Sequence, residues 1–411
     1  MPHVRAQEYP KADPTYKLEY VEVIHRHHKR TPYAANTFPI ESYPWSCSDE
    51  GLFYYGEQLS AGNLSAARTY WSVFDSTSNP FAVQGFNGTC QFPQITSGGL
   101  QDSHQHGADL ASVYRDLLSF LPATYDPKTV QYRVTNNVIT SQVAGSLIPG
   151  MFPSQAQAGA DVVTPLLIQP DSIDSLEPAY SCPKASSITS SYGPGSTSAA
   201  WLAHLNASAG LFSALDNISG VDPTSSDWHV SWDHYFDNLS ARLCHDKPLP
   251  CNVSNPAICV TEAQAEEVFR LGEYEYSFIY RDSPESLPAS TASYGVWIAE
   301  LASNLRGAME IESEVKYRHN VAHDGSISRL LSILQIDVMV WPGMGSEVVF
   351  EMYSRERKYY LRILWGGQVM RSTNPSLGNL NMIPVEAVLA YFDELVGSGA
   401  RLVPGLCGRS T

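Results

Sequence analysis

Tyr20-Val21-Glu22-Val23-Ile24-His25, running on into Arg26-His27-His28-Lys29-Arg30-Thr31-Pro32, is the stretch on which the reading of this 411-residue chain turns. Its first half is apolar and β-branched, which predicts a short buried strand. Its second half is basic and ends on a proline, which supplies no ladder donor and closes the strand. Residues at the end of such a strand sit at the mouth of an open α/β sheet, where ligands bind. Two arginines four apart in that loop, Arg26 and Arg30, can converge on one anion, and the planar guanidinium fork suits phosphate. A neutral imidazole between them, His27, can act as a nucleophile. A solvated basic surface loop is the competing reading of the same residues.

A second stretch, Val321-Ala322-His323-Asp324-Gly325-Ser326-Ile327 followed by Ser328-Arg329-Leu330-Leu331, reads as a strand end passing into a helix. Taken alone, Asp324 and Ser326 could be no more than capping residues. As an ordered pair, the two stretches resemble the R-H-G-x-R-x-P signature and the H-D motif of the histidine acid phosphatases. The resemblance implies that His27 attacks phosphorus while Arg26 and Arg30 hold the phosphate. It implies that His323 donates a hydrogen bond to the phosphoryl group and that Asp324 protonates the leaving oxygen. The helix opening near Ser326 would aim free backbone N–H groups at the anion.

Three more segments resemble the same family. Thr96-Ser97-Gly98-Gly99-Leu100 and the helix after it match the segment following the first motif. Ser346-Glu347-Val348-Val349-Phe350-Glu351-Met352-Tyr353 matches the late strand, with Tyr359 to Trp365 as its hairpin partner through Arg355-Glu356-Arg357. The resemblance spans roughly residues 15–400. It implies an α/β fold: a central mixed sheet flanked by helices, with a smaller α-helical lid inserted. The implied core is 15–165 with 290–411, the lid 166–289, and 1–14 a polar tail.

Two departures qualify the function. The family's middle motif carries a third phosphate-binding arginine, and in Arg133-Val134-Thr135-Asn136-Asn137-Val138-Ile139-Thr140 that position is Ile139. A charge-assisted contact to an anion contributes about 1.5–3 kcal/mol, and an arginine on transition-state charge about 10³–10⁵ in rate. An aliphatic group also dries the site and penalises a dianion. Arg133 is counted among the candidate anion-binding residues, although it lies six residues early and would need a change of path to substitute. His28 stands where the family has glycine; it either fills part of the anion site or adds a titratable group to it.

Three functions follow. The first is phosphomonoester hydrolysis through a phosphohistidine, slow or narrow in substrate. The second is acid–base catalysis by His27, His28 and Asp324 on a non-phosphorylated small molecule: dehydration, cyclisation or ester hydrolysis. The third is a non-catalytic role. No metal or organic cofactor is required by these residues. His104 and His106 lie early in the helix after Gly99, but the sequence offers no third ligand beside them.

A net charge of −16 disfavours nucleic acid and anionic membranes as partners, so the positive charge of the candidate site is local and suits a small anionic substrate. No run reaches the ~18 apolar residues of a membrane span. Of seven cysteines, Cys244, Cys251 and Cys259 cluster in a Pro-rich loop, where a local disulfide is expected. Six N-x-S/T sequons occur, at Asn63, Asn87, Asn206, Asn217, Asn238 and Asn252. Dispersed cysteines and sequons point to the secretory route or vacuole, as a glycoprotein. Residues 1–20 hold no apolar leader, so either a signal peptide has been removed ahead of them or the protein is cytoplasmic.

Residues 33–95 read as a long decorated loop. Beyond it, Ser196-Thr197-Ser198 predicts a cap for a helix through Trp201, and Thr261-Glu262-Ala263-Gln264 a capping box. Among the aromatics Tyr235, Phe236, Tyr274, Tyr276 and Tyr280, one or two are expected to face the pocket.

Overall fold

A computed structural model describes residues 3–40, 44–47, 78–80, 88–157, 164–310 and 313–408. The loop expected at 33–95 and the sequons Asn63 and Asn87 lie largely or wholly outside them. Cα packing divides the chain into two compact units. The first gathers 1–28, 101–189 and 276–411; the second gathers 29–100 and 190–275.

Along the chain the strands are β1 (Lys17–Arg26), β2 (Val130–Val134), β3 (Leu166–Leu167), β4 (Cys251–Asn252), β5 (Asn255–Cys259), β6 (Tyr317–Ala322), β7 (Glu347–Arg355), β8 (Lys358–Trp365), β9 (Gln368–Val369) and β10 (Ile383–Pro384). The first unit is built on a mixed sheet in the order β10-β8-β7-β1-β6-β2-β3, with β9 paired to β8. β1, β6, β2 and β3 run parallel; β7, β8 and β10 run antiparallel. β1 ends at Arg26, earlier than Pro32, with a last bond from His27 N–H to Ala322 O at 2.9 Å.

β1 is buried on both faces, so its side chains divide between two layers. Tyr20 and Ile24 join an apolar core with Val348, Phe350, Met352, Leu361 and Ile363. Trp297, Ile298 and Leu301 of the helix Ser286–Met309 and Ile327, Leu330 and Leu331 of the helix Asp324–Ile333 complete it. On the opposite face, His25 packs its ring 4.7 Å from that of His106. β7 and β8 form the expected hairpin, and Glu356 and Arg357 at its turn take positive φ of 52° and 63°. Residues 3–10 do more than the polar tail expected of them: Val4 and Tyr9 are buried, and the Tyr9 hydroxyl donates to Glu351 at 2.6 Å.

The second unit is helical, with the small β4–β5 hairpin. Its core contains Phe38, Phe212, Trp228, Trp232, Tyr235 and Val268, with Phe212 and Trp232 stacked at 3.7 Å. Ser198 caps the helix Ala199–Ala207 by accepting from Trp201 N–H. Thr261 and Gln264 form the reciprocal capping box: each side chain accepts from the other's backbone N–H. Disulfides join Cys47 to Cys90, Cys182 to Cys407 and Cys251 to Cys259; Cys244 lies outside these three pairs. Asn206 and Asn217 are exposed. Asn238 is buried, its amide donating to Asn36 O and accepting from Arg242 Nε, so a glycan there is incompatible with this packing. No helix among the described residues is long and apolar enough to cross a membrane.

Candidate active site

Three adjacent parallel strands deliver the site. Arg26, the last residue of β1, pairs in register with Ala322, the last of β6, and Val134, the last of β2, pairs with Val321. His27, Thr135 and the His323–Asp324 pair therefore emerge at one carboxyl edge, the place where open α/β sheets bind ligands. His27 is buried, and its Nδ1 lies 3.0 Å from the carbonyl oxygen of His28. A carbonyl only accepts, so Nδ1 carries the proton and the lone pair of the neutral ring sits on Nε2. The rings of His27 and His323 stand 5.4 Å apart between centroids.

Asp324 opens the helix Asp324–Ile333, with His323 as its N-cap. Its Oδ1 accepts from Gly325 N–H at 2.8 Å. Its Oδ2 accepts from the Trp341 indole at 2.8 Å and lies 3.0 Å from a guanidinium nitrogen of Arg26. Another Arg26 nitrogen donates to Pro342 O at 2.7 Å. Trp341 is itself stacked on Tyr276 at 3.9 Å, which brings one of the expected aromatics into this neighbourhood. His323 Nε2 is 2.9 Å from Thr135 Oγ1 and 3.5 Å from Glu177 Oε2. Burial pushes the Glu177 carboxyl up, but the hydrogen bond and charge of His323, with a bond from Thr135, outweigh it and hold the group below its ordinary range. Two imidazoles, a carboxylate and a guanidinium thus converge within the first unit.

No family model matches the chain. Human lysophosphatidic acid phosphatase type 6 is 26% identical over 391 residues, 89% of this chain and 82% of that protein. Counting factor 60 of Dictyostelium discoideum is 23% identical over 365 residues, 85% of this chain and 80% of that protein. Among solved structures, the apo phytase of Hafnia alvei superposes with a TM-score of 0.61 at 13% identity, covering 95% of this chain and 99% of that one. Over most of its length the chain is thus similar in sequence to a lysophosphatidic acid phosphatase and in fold to a phytase, in line with the resemblance to the histidine acid phosphatases.

Within that family pattern, the remaining sequence candidates separate. Ile139 is fully buried near the start of the helix Val138–Met151, where Asn137 caps its N–H at 3.2 Å. Its neighbours Thr135 and Thr140 bond each other at 3.1 Å, so the middle segment reaches His323 through hydroxyls. Arg133 goes elsewhere: its guanidinium contacts Glu300 at 2.7 Å, Gln169 at 2.7 Å, Ser175 at 2.8 Å and Asp174 at 3.4 Å. That replaces the anion-binding role expected of it, because a guanidinium so engaged has its charge already met by two carboxylates. His28 is buried with Nε2 3.1 Å from His106 Nδ1, and a Cβ added to Gly345 would fall 2.5 Å from its ring. Arg30 belongs to the second unit, where Asp237 holds it at 3.0 and 3.3 Å.

Sequence reasoning missed Glu177 and Trp341. Nothing local marks Glu177, which arrives from a loop after β3. Trp341-Pro342-Gly343, a tryptophan in a turn just ahead of β7, was the signal available for the second.

Proposed function

We propose that this protein hydrolyses phosphate monoesters through a phosphohistidine on His27. One observation carries the reading: His27, with its lone pair on Nε2, stands beside His323 while Arg26 reaches Asp324 at 3.0 Å. In the first step His27 Nε2 attacks phosphorus, the phosphorus–oxygen ester bond breaks, and the protonated carboxyl of Asp324 gives its proton to the leaving oxygen. In the second step water attacks the phosphohistidine, the phosphorus–nitrogen bond breaks, and the Asp324 carboxylate takes the water proton. Inorganic phosphate leaves with both residues restored. Arg26 and His323 bind the phosphoryl oxygens, and the phosphate draws Arg26 from Asp324 as it enters. The three disulfides suit an oxidising compartment, which favours the secretory route as the place of action.

The test is hydrolysis of p-nitrophenyl phosphate across about pH 4 to 8, where a histidine and a carboxylate exchange protons, with His27→Ala as control. Turnover lost in that variant, with an acid-labile, base-stable phosphoryl adduct trapped on the wild type, supports the reading. Turnover equal in both overturns it. A second reading, acid–base chemistry on a non-phosphorylated molecule, draws on the buried Ile139 and the engaged Arg133. It gains if no phosphate ester is turned over by the folded wild type.

A further inference from the structure

The sequence offered His106 no third ligand, but the fold supplies two. We propose that His25, His28 and His106 form a buried binding site for one divalent transition-metal ion, with zinc as the ion of choice. The proposal does not depend on the phosphatase reading.

One donor nitrogen from each of these three buried histidines lies within 4.8 Å of the other two. His28 Nε2 and His106 Nδ1 are 3.1 Å apart. Zinc binds imidazole nitrogen at about 2.0–2.1 Å in tetrahedral geometry, which places ligand nitrogens about 3.3 Å from one another. One pair already meets that spacing, and side-chain adjustments that close a gap of up to about 1.5 Å bring in the third.

The far sides of the rings are arranged as a metal site requires. His25 Nδ1 donates to Arg26 O at 2.8 Å, which puts its lone pair on Nε2. That Nε2 is buried with no hydrogen-bond partner. An orphaned buried acceptor costs stability unless something binds it, and a metal is a partner of the right kind. His106 Nε2 is 2.9 Å from Glu347 Oε2, the carboxylate–histidine pairing that orients metal-bound imidazoles. Glu347 is steadied in turn by Val4 N–H at 2.6 Å. Around this set, His3 stacks on His106 at 4.1 Å and His319 stands 4.9 Å from His25. A cluster held only by mutual hydrogen bonds would satisfy His28 and His106 but would leave His25 Nε2 unmet. Gly345, at φ +74°, leaves the space that the His28 ring fills.

The full chain, stripped with chelator and dialysed against limiting zinc, should hold one zinc per molecule by elemental analysis and melt several degrees higher. Cobalt in place of zinc should give the intense visible bands of a tetrahedral site. His25→Gln and His106→Gln should each weaken zinc at least a hundredfold against a chromogenic indicator. His104→Gln, at an exposed position two residues away, should keep it. A wild type that takes up no stoichiometric zinc and gives no cobalt bands overturns the proposal. So does tight zinc that survives in a folded His106→Gln protein, since surface histidines would then be responsible. If both glutamine variants fail to fold, the wild-type stoichiometry and X-ray absorption decide: three nitrogens near 2.0 Å support the site, and oxygen-only ligation refutes it.

Discussion

Replacing Trp341 by phenylalanine tests whether Asp324 is the proton donor to the leaving group. The indole N–H donates to Asp324 Oδ2 at 2.8 Å, the same oxygen that faces Arg26 at 3.0 Å. Phenylalanine keeps an aromatic ring against Tyr276, now stacked at 3.9 Å, and deletes the donor together with one ring of the indole. A hydrogen bond to a charged group contributes about 1.5–3 kcal/mol, and about 1.4 kcal/mol is tenfold in rate. If that bond orients the carboxyl in the transition state, kcat falls by about 10- to 150-fold. The loss depends on the leaving group. A nitrophenolate departs without a proton, whereas an alkoxide does not. Initial rates on p-nitrophenyl phosphate and glycerol 2-phosphate therefore separate the cases: Trp341→Phe should cost the alkyl ester the full factor and the aryl ester a few-fold at most, with KM little changed for either. Equal losses on both esters would show that Trp341 acts through general packing, and no loss on either would remove Asp324 positioning from the mechanism.

Ile139→Arg should raise kcat/KM for phosphate esters at least tenfold while lowering Tm, since the position is buried; a folded variant with no better vanadate or phosphate binding would show that Ile139 does not occupy the missing arginine's place. Arg362→Met should destabilise by about 3–5 kcal/mol, because Glu351, held by Arg362 Nε at 2.6 Å, would remain buried without its cation; urea unfolding measures this, and a change under about 1 kcal/mol would refute it. Burial raises the Glu275 carboxyl above its ordinary range, against the bonds from His204 and Trp232 N–H. The folded state therefore holds that proton more tightly than the unfolded chain, and the resulting stability is lost as pH rises through the raised value. Glu275→Gln should gain on the wild type in Tm as pH rises above the ordinary carboxylate range; a difference that stays flat with pH would argue against it.

The parts of the fold that were legible in sequence are those with local causes. β1 announces itself by an apolar β-branched run and the helix after Thr261 by a capping box that forms as written, whereas the β7–β8 hairpin was expected from the family resemblance. The pairing of the Arg26 and His323 motifs was legible only through the family resemblance; in the structure it follows because β1 and β6 run parallel and end at one edge. What escaped was set by distant segments. Residues 3–10 look polar, yet Tyr9 packs because Glu351 and Arg362 offer buried partners some 340 positions away. Arg133 looked available for an anion until Glu300 and Asp174 arrived from elsewhere to meet its charge. The disulfide from Cys182 to Cys407 spans 225 positions, beyond any local pattern.

His28 and Ile139 look alike in sequence, as two losses from one phosphate site, but they have different physical consequences. Ile139 removes a cation from the middle segment and leaves Thr135 and Thr140 in place around His323. His28 adds a ring that lies against His106 and over Gly345, in the layer to which His25 also turns. One change therefore bears on anion affinity and the other on the interior beneath β1. If the two layers act independently, their effects should add when combined. Ile139→Arg and His28→Gly made together should change phosphate affinity by the first variant's factor and zinc uptake by the second's. A strong departure from additivity in either readout would mean that the histidine cluster and the anion site are a single coupled network.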